Sequence, residues 1–320
     1  MCTVIAISYI IGMILVVVYR EHAFTSCLNV DTSTTRVFLT EPHMPPKRSR
    51  ETVLETMFEL FDVEATFLHV QSILALFAAG LTSGCVIDSG EYSTTVYPVA
   101  DGYHLTNASV KLSFGGSHVD DMLKYLLLDR EDDPVVQNRL MDALSSQETI
   151  RAIKEKHAFI TSTETRKRPK DLIPYTLPDG HVVDLHSSDL NDCTERFFDP
   201  HKFAHLCESD QLSVPAAVHK SIMAIGIDLR RSLVGSIVLT GGNTMFAGLP
   251  SRLSTELRTI LPGTMSQSIR VIAPPDRNNA IWAGGSILTS LSTFDDQWIT
   301  GQDYDECGAG IVHQRCQVYL

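Results

Sequence analysis

The sequence predicts an α/β fold, because short strand-like runs alternate with amphipathic helical segments along most of the chain. Two observations carry the prediction. Apolar runs of four to seven residues are bounded by turn residues, as at 65–70 and 236–240, and helical patterns follow them, as at 71–80 and 249–260. With 320 residues and 44% hydrophobic composition, the chain can also form the cores of two domains.

The individual elements follow from local patterns in chain order. Strands are predicted at 65–70, 85–88, 93–99 and 236–240, and helices at 52–61, 71–80, 123–128, 149–157, 221–233 and 249–260. Gly80 closes its helix as a favoured C′ residue. The pair Asp101-Gly102 is a hairpin signal. Residues 89–92 read as a turn between two strands.

Charge and cysteine content exclude several classes of protein. The formal net charge is −12, so we expect no nucleic-acid partner. The basic run at 166–170 is flanked by proline and is typical of a solvated loop. Seven scattered cysteines indicate free thiols in a reducing compartment, not a disulfide framework.

The first 20 residues are a hydrophobic leader that differs from the rest of the chain. Residues 3–18 are almost wholly apolar and uncharged. The run is slightly short for a membrane-spanning helix of about 20 residues. It also lacks the basic start and cleavage site of a signal peptide. Three interpretations stay open: a stretch mistranslated from a gene model, a membrane anchor, or a buried helix or strand.

The glycine pair at 241–242 is the first candidate for a binding site. Gly241 and Gly242 carry no Cβ, so their backbone can approach a ligand closely. The helix predicted at 249–260 begins just after this turn, and a helix N-terminus suits an anion. Taken alone, the glycine pair would be interpreted as an ordinary connection between a strand and a helix.

Four runs in the last third resemble the C-terminal third of actin in order and spacing. They are Ser-Ile-Val-Leu-Thr-Gly-Gly-Asn-Thr-Met-Phe-Ala-Gly from 236, Ile-Ala-Pro-Pro-Asp-Arg from 272, Trp-Ala-Gly-Gly-Ser-Ile-Leu-Thr-Ser-Leu-Ser-Thr-Phe from 282 and Ile-Val-His-Gln-Arg-Cys from 311. The resemblance to actin and actin-related proteins covers about 20–316. It implies an actin-like ATPase with the two-lobed fold that actin shares with heat-shock chaperones and sugar kinases.

The family's layout gives expected domain boundaries. Subdomain 1 corresponds to 21–78 plus 280–320, subdomain 3 to 79–114 plus 209–279, and subdomain 4 to 115–208. The family's first phosphate hairpin and its subdomain 2 have no counterpart. The leader at 1–20 stands in their place.

The resemblance also implies a site for ATP or ADP with Mg²⁺ in the cleft between the lobes. Gln71 matches the glutamine that positions the attacking water, and Asp88 would orient water on Mg²⁺. Ser89 and Gly90 match a phosphate hairpin that offers backbone N–H groups. The residues that match the nucleoside side are Gly116, Arg151, Lys154, Glu155, Gly241, Gly242, Thr244, Met245 and Phe246.

Each of these matches also has a plain alternative. Asp-Ser-Gly at 88–90 is a common turn. Without the family resemblance, the charged stretch 151–156 would be interpreted as a solvated helix face. Gln71 reads equally as a polar residue at the start of a helix.

Departures from the family point to weakened chemistry. Glu91-Tyr92 replaces the family's Asp-Gly after the Ser-Gly, and Tyr92 adds a bulky side chain there. Thr95 replaces a histidine of the catalytic region. The pair at 278–279 is Asn-Asn where the family stacks Lys-Tyr on adenine. The missing first phosphate hairpin matters most, because a one-sided grip leaves phosphate charge poorly compensated, and for the chain as written we expect weak ATP binding and at most slow hydrolysis.

Three functional hypotheses follow. The first is an ATP-binding cytoskeletal protein of the cytoplasm, acting as a filament subunit or a component of a complex. The second is a nucleotide-poor interaction protein whose hydrophobic cleft binds actin-family subunits or actin-binding proteins. Its lining would be Phe77, Ala78, Gly80, Thr82, Gly102, Tyr103, Ile287, Leu288, Leu291 and Phe294. The third, a membrane-anchored protein, depends on the leader alone.

One further pattern has the spacing of a metal site. His201 and His205 are four residues apart and Cys207 follows, as in some zinc-binding helices. No glutamate stands beside the first histidine, so we expect no metal there.

Overall fold

A computed structural model of the chain describes residues 2–5, 21–42, 45–131, 133–161, 172–202 and 212–317. The basic run at 166–170 lies outside the described residues, and so do His205 and Cys207. Most of the hydrophobic leader, 6–20, lies outside them as well. No helix within the described part of the chain is both long and apolar enough to cross a membrane.

The described residues form a mixed α/β structure. The strands are β1 Cys2–Ile5, β2 Arg36–Glu41, β3 Ala65–Val70, β4 Gly84–Ser89, β5 Thr94–Ala100, β6 Tyr103–His104, β7 Val110–Leu112, β8 Leu172–Thr176, β9 Val182–His186, β10 Ile237–Thr240, β11 Val271–Ile272 and β12 Ile299–Thr300. The helices are α1 Lys47–Glu55, α2 Gln71–Ala78, α3 Gly116–Arg130, α4 Pro134–Ala143, α5 Gln147–His157, α6 Ser187–Asp192, α7 Val214–Met223, α8 Ile227–Val234, α9 Leu249–Ile260, α10 Gly263–Ser266, α11 Ala280–Thr289, α12 Gly301–Cys307 and α13 Val312–Arg315.

The chain divides into two compact units, and it passes from one to the other four times: within β4, within β5, after Thr106 and after Asn278. The first unit consists of Met1–Val86, Pro98–Thr106 and Asn279–Leu320. The second consists of Ile87–Tyr97 and Asn107–Asn278. Each unit is therefore assembled from separate stretches of sequence.

The core of the first unit is built on a sheet with the strand order β1-β2-β3-β12. The β1–β2 and β2–β3 pairs are parallel, whereas β12 is antiparallel to β3. Phe38 and Phe67 are paired across β2 and β3 with ring centroids 5.9 Å apart. Phe294 and Trp298 pack edge-on against each other at 5.2 Å and extend this buried aromatic cluster.

Helices α2 and α11 pack against each other in the first unit at unusually close range. A Cβ atom built on Gly284 would overlap the backbone carbonyl of Leu74. Only glycine therefore permits this approach, because any side chain would push the two helix backbones apart.

The C-terminal segment is held against the same unit by polar contacts. Arg50 on α1 forms a buried ion pair with Glu41 at 2.9 Å and donates to the carbonyl of Cys316 at 2.8 Å. His313 lies 3.0 Å from Glu51. The thiol of Cys316 accepts from the backbone N–H of Leu68 at 3.5 Å. Residues 41–51 thus fix the end of the described chain.

The second unit combines β-strands with a helical layer. Strands β10 and β11 are parallel, whereas β5–β7 and β8–β9 are antiparallel. The sheet that contains β10 has the strand order β11-β10-β4-β5-β6. Helix α3 packs on α5, and α7 packs on α9. The end of β10 and the C-terminal end of α5 frame the site described below.

Most of the sequence-predicted elements are confirmed. The helix predicted at 249–260 is α9, and the strand predicted at 65–70 is β3. Gly80 has φ +71° after α2, and Asp101-Gly102 has two positive φ values in the β5–β6 turn.

Two predicted helices differ from the structure. The single helix predicted at 221–233 is wrong, because α7 ends at Met223 and α8 begins at Ile227. Gly226 between them is extended, with ψ 140°. The helix predicted at 52–61 instead begins at Lys47 and closes with a π-type turn, Thr56–Leu60. Of the leader, four residues are described, and they form β1 beside β2.

Candidate functional site

A pocket of about 410 Å³ lies within the second unit. This volume is in the range of small-molecule sites, about 300–1,000 Å³. The lining residues come from the turn after β4, from α5 and from the loop after β10. They are Gly90, Glu91, Lys154, Glu155, Lys156, Ala158, Gly242, Asn243, Met245, Phe246, Ala247 and Asn278.

The two adjacent glycines after β10 have different roles. Gly241 has φ +90°, and a Cβ built there would overlap the carbonyl of Ser89 and lie 2.8 Å from Oδ1 of Asp88. Glycine is therefore required at 241 by both conformation and space. A Cβ on Gly242 would meet nothing within 4 Å, and Gly242 lines the pocket. Position 242 is thus where a ligand can approach the backbone.

Arg277 holds the loop that contains these glycines, a role the sequence analysis missed. Its guanidinium donates to the carbonyl of Thr244 at 2.6 Å and 3.2 Å, and to that of Pro274 at 2.9 Å. The Thr244 hydroxyl donates to the carbonyl of Gly241 at 2.7 Å. Desolvation lowers the pKa of Arg277. An arginine directly after Pro-Pro-Asp was the available signal, but its partner in the glycine loop, Thr244, lies 33 residues away.

Asn243 joins this loop to the β4–β5 turn. Its side-chain amide donates to the carbonyl of Gly90 at 2.6 Å and to the hydroxyl of Ser89 at 3.2 Å. The Ser89 hydroxyl also lies 2.7 Å from that of Thr94 and is buried. The backbone N–H of Gly90, expected to face a phosphate, donates to the carbonyl of Ser93 at 3.0 Å.

Lys154 lies in a buried polar contact at the wall formed by α3 and α5. Its Nζ is 2.8 Å from Oδ1 of Asp120 and 3.1 Å from the carbonyl of Gly116. A Cβ on Gly116 would lie 2.9 Å from Oδ1 of Asn243 and 3.1 Å from a carboxylate oxygen of Glu91. Desolvation raises the pKa of Asp120 although Lys154 opposes the change. Glycine at 116 therefore lets three polar groups converge.

A second ion pair stands at the edge of the pocket. Arg151 on α5 donates to Glu91 at 3.1 Å, and both side chains are partly exposed. The attraction of Glu91 raises the pKa of Arg151. The two residues are 60 positions apart in sequence, so no local pattern indicated that they meet.

Asp88 at the end of β4 is a partly buried carboxyl group beside Gly241. Desolvation raises the pKa of Asp88 to about 6, so it is mostly ionised at pH 7. Within the described residues, no three His, Cys, Asp or Glu side chains are grouped closely enough to hold a metal ion. A single carboxylate such as that of Asp88 could help to hold Mg²⁺ by accepting hydrogen bonds from water molecules bound to the ion.

The remaining site prediction, Gln71, belongs to the first unit. It is the first residue of α2, and its side-chain amide contacts the hydroxyl of Thr40 at 3.4 Å. Of the other predicted site residues, six line the pocket: Gly90, Lys154, Glu155, Gly242, Met245 and Phe246. The rest do not appear among the lining residues: Arg151 stands at the edge of the pocket, and the others lie in or beside the loops described above, namely Asp88, Ser89, Gly116, Gly241 and Thr244.

The residues predicted to line a partner-binding cleft include three exposed side chains of the first unit. Tyr103, Ile287 and Leu291 are 47%, 46% and 50% exposed. Phe77 is half-buried against the hydrophobic core, and Phe294 is buried in it. The residues predicted to line the cleft are therefore of two kinds: some lie on the surface of the first unit, and others belong to its hydrophobic core.

Comparison with protein families agrees with these features. A family model described as Actin matches residues 17–317. The match covers both units, including the loop after β10 and the C-terminal segment. It confirms the family resemblance and the actin-like α/β fold inferred from the sequence. The chain belongs to the actin family.

Proposed function

We propose that this protein binds an adenine nucleotide in the pocket of the second unit and acts as a filament subunit or as a component of a complex. The observation that supports the proposal is the pocket itself, about 410 Å³ in volume and lined by Gly242, Met245 and Phe246. Family membership supports a nucleotide as the ligand and the cytoskeleton of the cytoplasm as the location.

The proposed roles follow from what each group offers. Met245 is 42% exposed and gives an apolar surface for a base, backed by the buried Phe246. Glu155 is an exposed carboxylate that suits ribose hydroxyls. Asp88 would orient water on Mg²⁺, and Gln71 is the candidate for positioning the attacking water. At most slow ATP hydrolysis is expected from this set.

The proposal predicts a pH dependence for Mg²⁺-nucleotide binding. Asp88 acts only as a carboxylate, and its pKa is raised to about 6. Protonation therefore removes the charge as the pH falls through 6, where an ordinary aspartate would stay ionised to about 4. Titration with Mg-ATP at pH 7.5 and pH 5.5 should show weaker binding at the lower pH. Asp88→Asn should make the difference between the two smaller, and the part that is left comes from other groups, among them the terminal phosphate of ATP, which titrates in the same range.

The proposal is tested most directly by filling the pocket without disturbing the protein. Gly242→Leu places a side chain where a Cβ has no neighbour within 4 Å. Calorimetric titration with Mg-ATP and with adenosine should show at least about a tenfold loss of affinity, because the ligand loses its approach to the loop. Gly263→Leu, another position in the second unit whose Cβ would be free, is the matched control. Unchanged binding in Gly242→Leu would contradict the proposal.

A second candidate function is supported by the exposed side chains of the first unit. Ile287 and Leu291 lie at the end of α11 and after it, and half of each is exposed. Such residues suit the apolar face of an amphipathic helix. Ile287→Asp and Leu291→Asp should reduce co-sedimentation with filamentous actin or an actin-binding protein. The Gly242→Leu variant should retain it if nucleotide is dispensable for docking.

A further inference from the structure

We infer that Asp120 on α3 is a positioning residue for the pocket, because it holds the ammonium group of Lys154 where a nucleoside can accept a hydrogen bond from it. The inference rests on the proposed nucleotide site and deepens it. It names a residue that orients the ligand although it is not among the residues that line the pocket. Three observations on the wall formed by α3 and α5 support it.

The side chain of Lys154 is held at two points that lie one turn apart on α3. Its Nζ atom is 2.8 Å from Oδ1 of Asp120 and donates to the carbonyl of Gly116 at 3.1 Å. Gly116 and Asp120 are four residues apart in the same helix, so both oxygens lie on one helix face. Two acceptors on one rigid element fix the ammonium group more closely than either acceptor does alone.

This ion pair is shielded from water. The side chains of Lys154 and Asp120 are 5% and 14% exposed. An exposed ion pair holds a long side chain weakly because water competes for both charges, whereas a buried ammonium group must keep its partners. Loss of the Asp120 charge should therefore change where the ammonium group of Lys154 lies.

The fixed ammonium group keeps a donor for a ligand. An ammonium group has three N–H bonds, and the contacts with Asp120 and Gly116 account for two of them. Lys154 also lines the pocket, together with Glu155 and Met245. The third N–H therefore suits an acceptor atom of a nucleoside, either a ring nitrogen of the base or an oxygen of the ribose.

A double-mutant cycle of adenosine affinity, measured by calorimetric titration of the full chain, tests the inference. Asp120→Asn removes the charge that holds the ammonium group and should lower the affinity about fivefold. Lys154→Met keeps the length of the side chain, removes the donor and should lower the affinity about tenfold. The double variant should bind no more weakly than Lys154→Met alone, because Asp120 then has no ammonium group to position. Asp121→Asn, the same change at the exposed next residue, is the control and should stay within about twofold.

Titration with adenine identifies the acceptor atom. If Lys154→Met weakens the binding of adenine and of adenosine by the same factor, the acceptor belongs to the base. If only adenosine binding is weakened, the acceptor belongs to the ribose. Each of these results supports a hydrogen bond from Lys154 to the nucleoside.

The outcomes separate this inference from the proposed function. Unchanged adenosine affinity in Asp120→Asn would mean that the ion pair only stabilises the fold, and it would overturn the inference. An equal loss of affinity from Asp120→Asn with and without Lys154→Met would overturn it as well, because Asp120 would then act independently of Lys154. The nucleotide site would stand in both cases.

Two further outcomes concern folding and binding as a whole. If Asp120→Asn alone does not fold, the double variant, in which neither side chain is charged, still decides. Affinity equal to that of Lys154→Met supports the inference, and a further loss overturns it. Failure of the unaltered protein to bind adenosine would overturn both the inference and the proposed function.

Discussion

Both units contain a close backbone approach at a glycine and a buried ion pair, but the surroundings of these contacts differ between the units. In the first unit, Gly284 lets α11 approach the backbone of Leu74, and Arg50 is buried against Glu41. In the second unit, Gly241 lets its loop approach the backbone of Ser89, and Lys154 is buried against Asp120.

The difference lies in what surrounds these groups. Arg50 and Glu41 are 6% and 3% exposed, and Arg50 also binds the carbonyl of Cys316. Lys154 and the loop after Gly241 instead line the 410 Å³ pocket. A glycine contact or an ion pair in the first unit thus serves mainly stability, whereas its counterpart in the second unit shapes a surface that a ligand would contact. Substitutions in the first unit should therefore lower mainly the free energy of unfolding, whereas substitutions around the pocket of the second unit should lower mainly the affinity for a ligand.

The largest expected effect is on the glycine of the first unit. Gly284→Ala forces a Cβ into the carbonyl of Leu74, and the two helices cannot both keep their positions. We expect a loss of about 4 kcal/mol or more in the free energy of unfolding, at the severe end of single substitutions. Urea denaturation would measure it. Gly301→Ala in the same unit is the control, because its Cβ would be free. Equal stability of the two variants would contradict the close contact.

Breaking the buried ion pair of the first unit should have the next largest effect. Arg50→Met takes the positive charge away from the buried Glu41 carboxylate and removes the hydrogen bond to the carbonyl of Cys316. We expect a loss of about 3 kcal/mol in the free energy of unfolding. Arg48→Met on the same helix removes an exposed arginine and should leave the free energy of unfolding nearly unchanged. Similar losses in the two variants would mean that burial of the pair contributes little.

A smaller effect should appear as a pH dependence of the same core. His69 on β3 is buried among aromatic rings, with Phe38 at 6.2 Å, and desolvation lowers the pKa of His69 to about 4. The unfolded chain takes up its proton near pH 6.5, so stability falls as the pH decreases through the window from 6.5 to 4. This group alone should remove about 2 kcal/mol between pH 7 and pH 5.

Urea denaturation at the two pH values checks this prediction. His69→Phe keeps an aromatic ring and cannot be protonated, so its stability should change less over the same range. A pH dependence that is identical in His69→Phe would assign the effect to other groups.

Local sequence patterns predicted the elements but not the contacts that join them. The helix end at Gly80 and the turn at Asp101-Gly102 could be predicted from the sequence, because a positive φ is a local requirement that favours these residue types. The break between α7 and α8 was missed because apolar spacing continues across Gly226. Contacts such as Arg151 with Glu91 depend on packing between distant segments, which periodicity does not encode. The candidate site was identified through the family resemblance, and its internal bonding came only from the structure.

The smallest expected change in stability should accompany a measurable change in binding. Asn243→Ala removes the two hydrogen bonds that join the glycine loop to the β4–β5 turn. The carbonyl of Gly90 still accepts from the N–H of Gly116, so the loss in the free energy of unfolding should be about 1 kcal/mol. Affinity for adenosine should nevertheless fall several-fold, because two walls of the pocket lose their shared support. Asn138→Ala, at an exposed position of α4, is the control for both measurements. A loss of more than about 3 kcal/mol in the free energy of unfolding, with unchanged affinity for adenosine, would mean that Asn243 serves stability, as the contacts of the first unit do. The proposed difference between the two units would then be wrong.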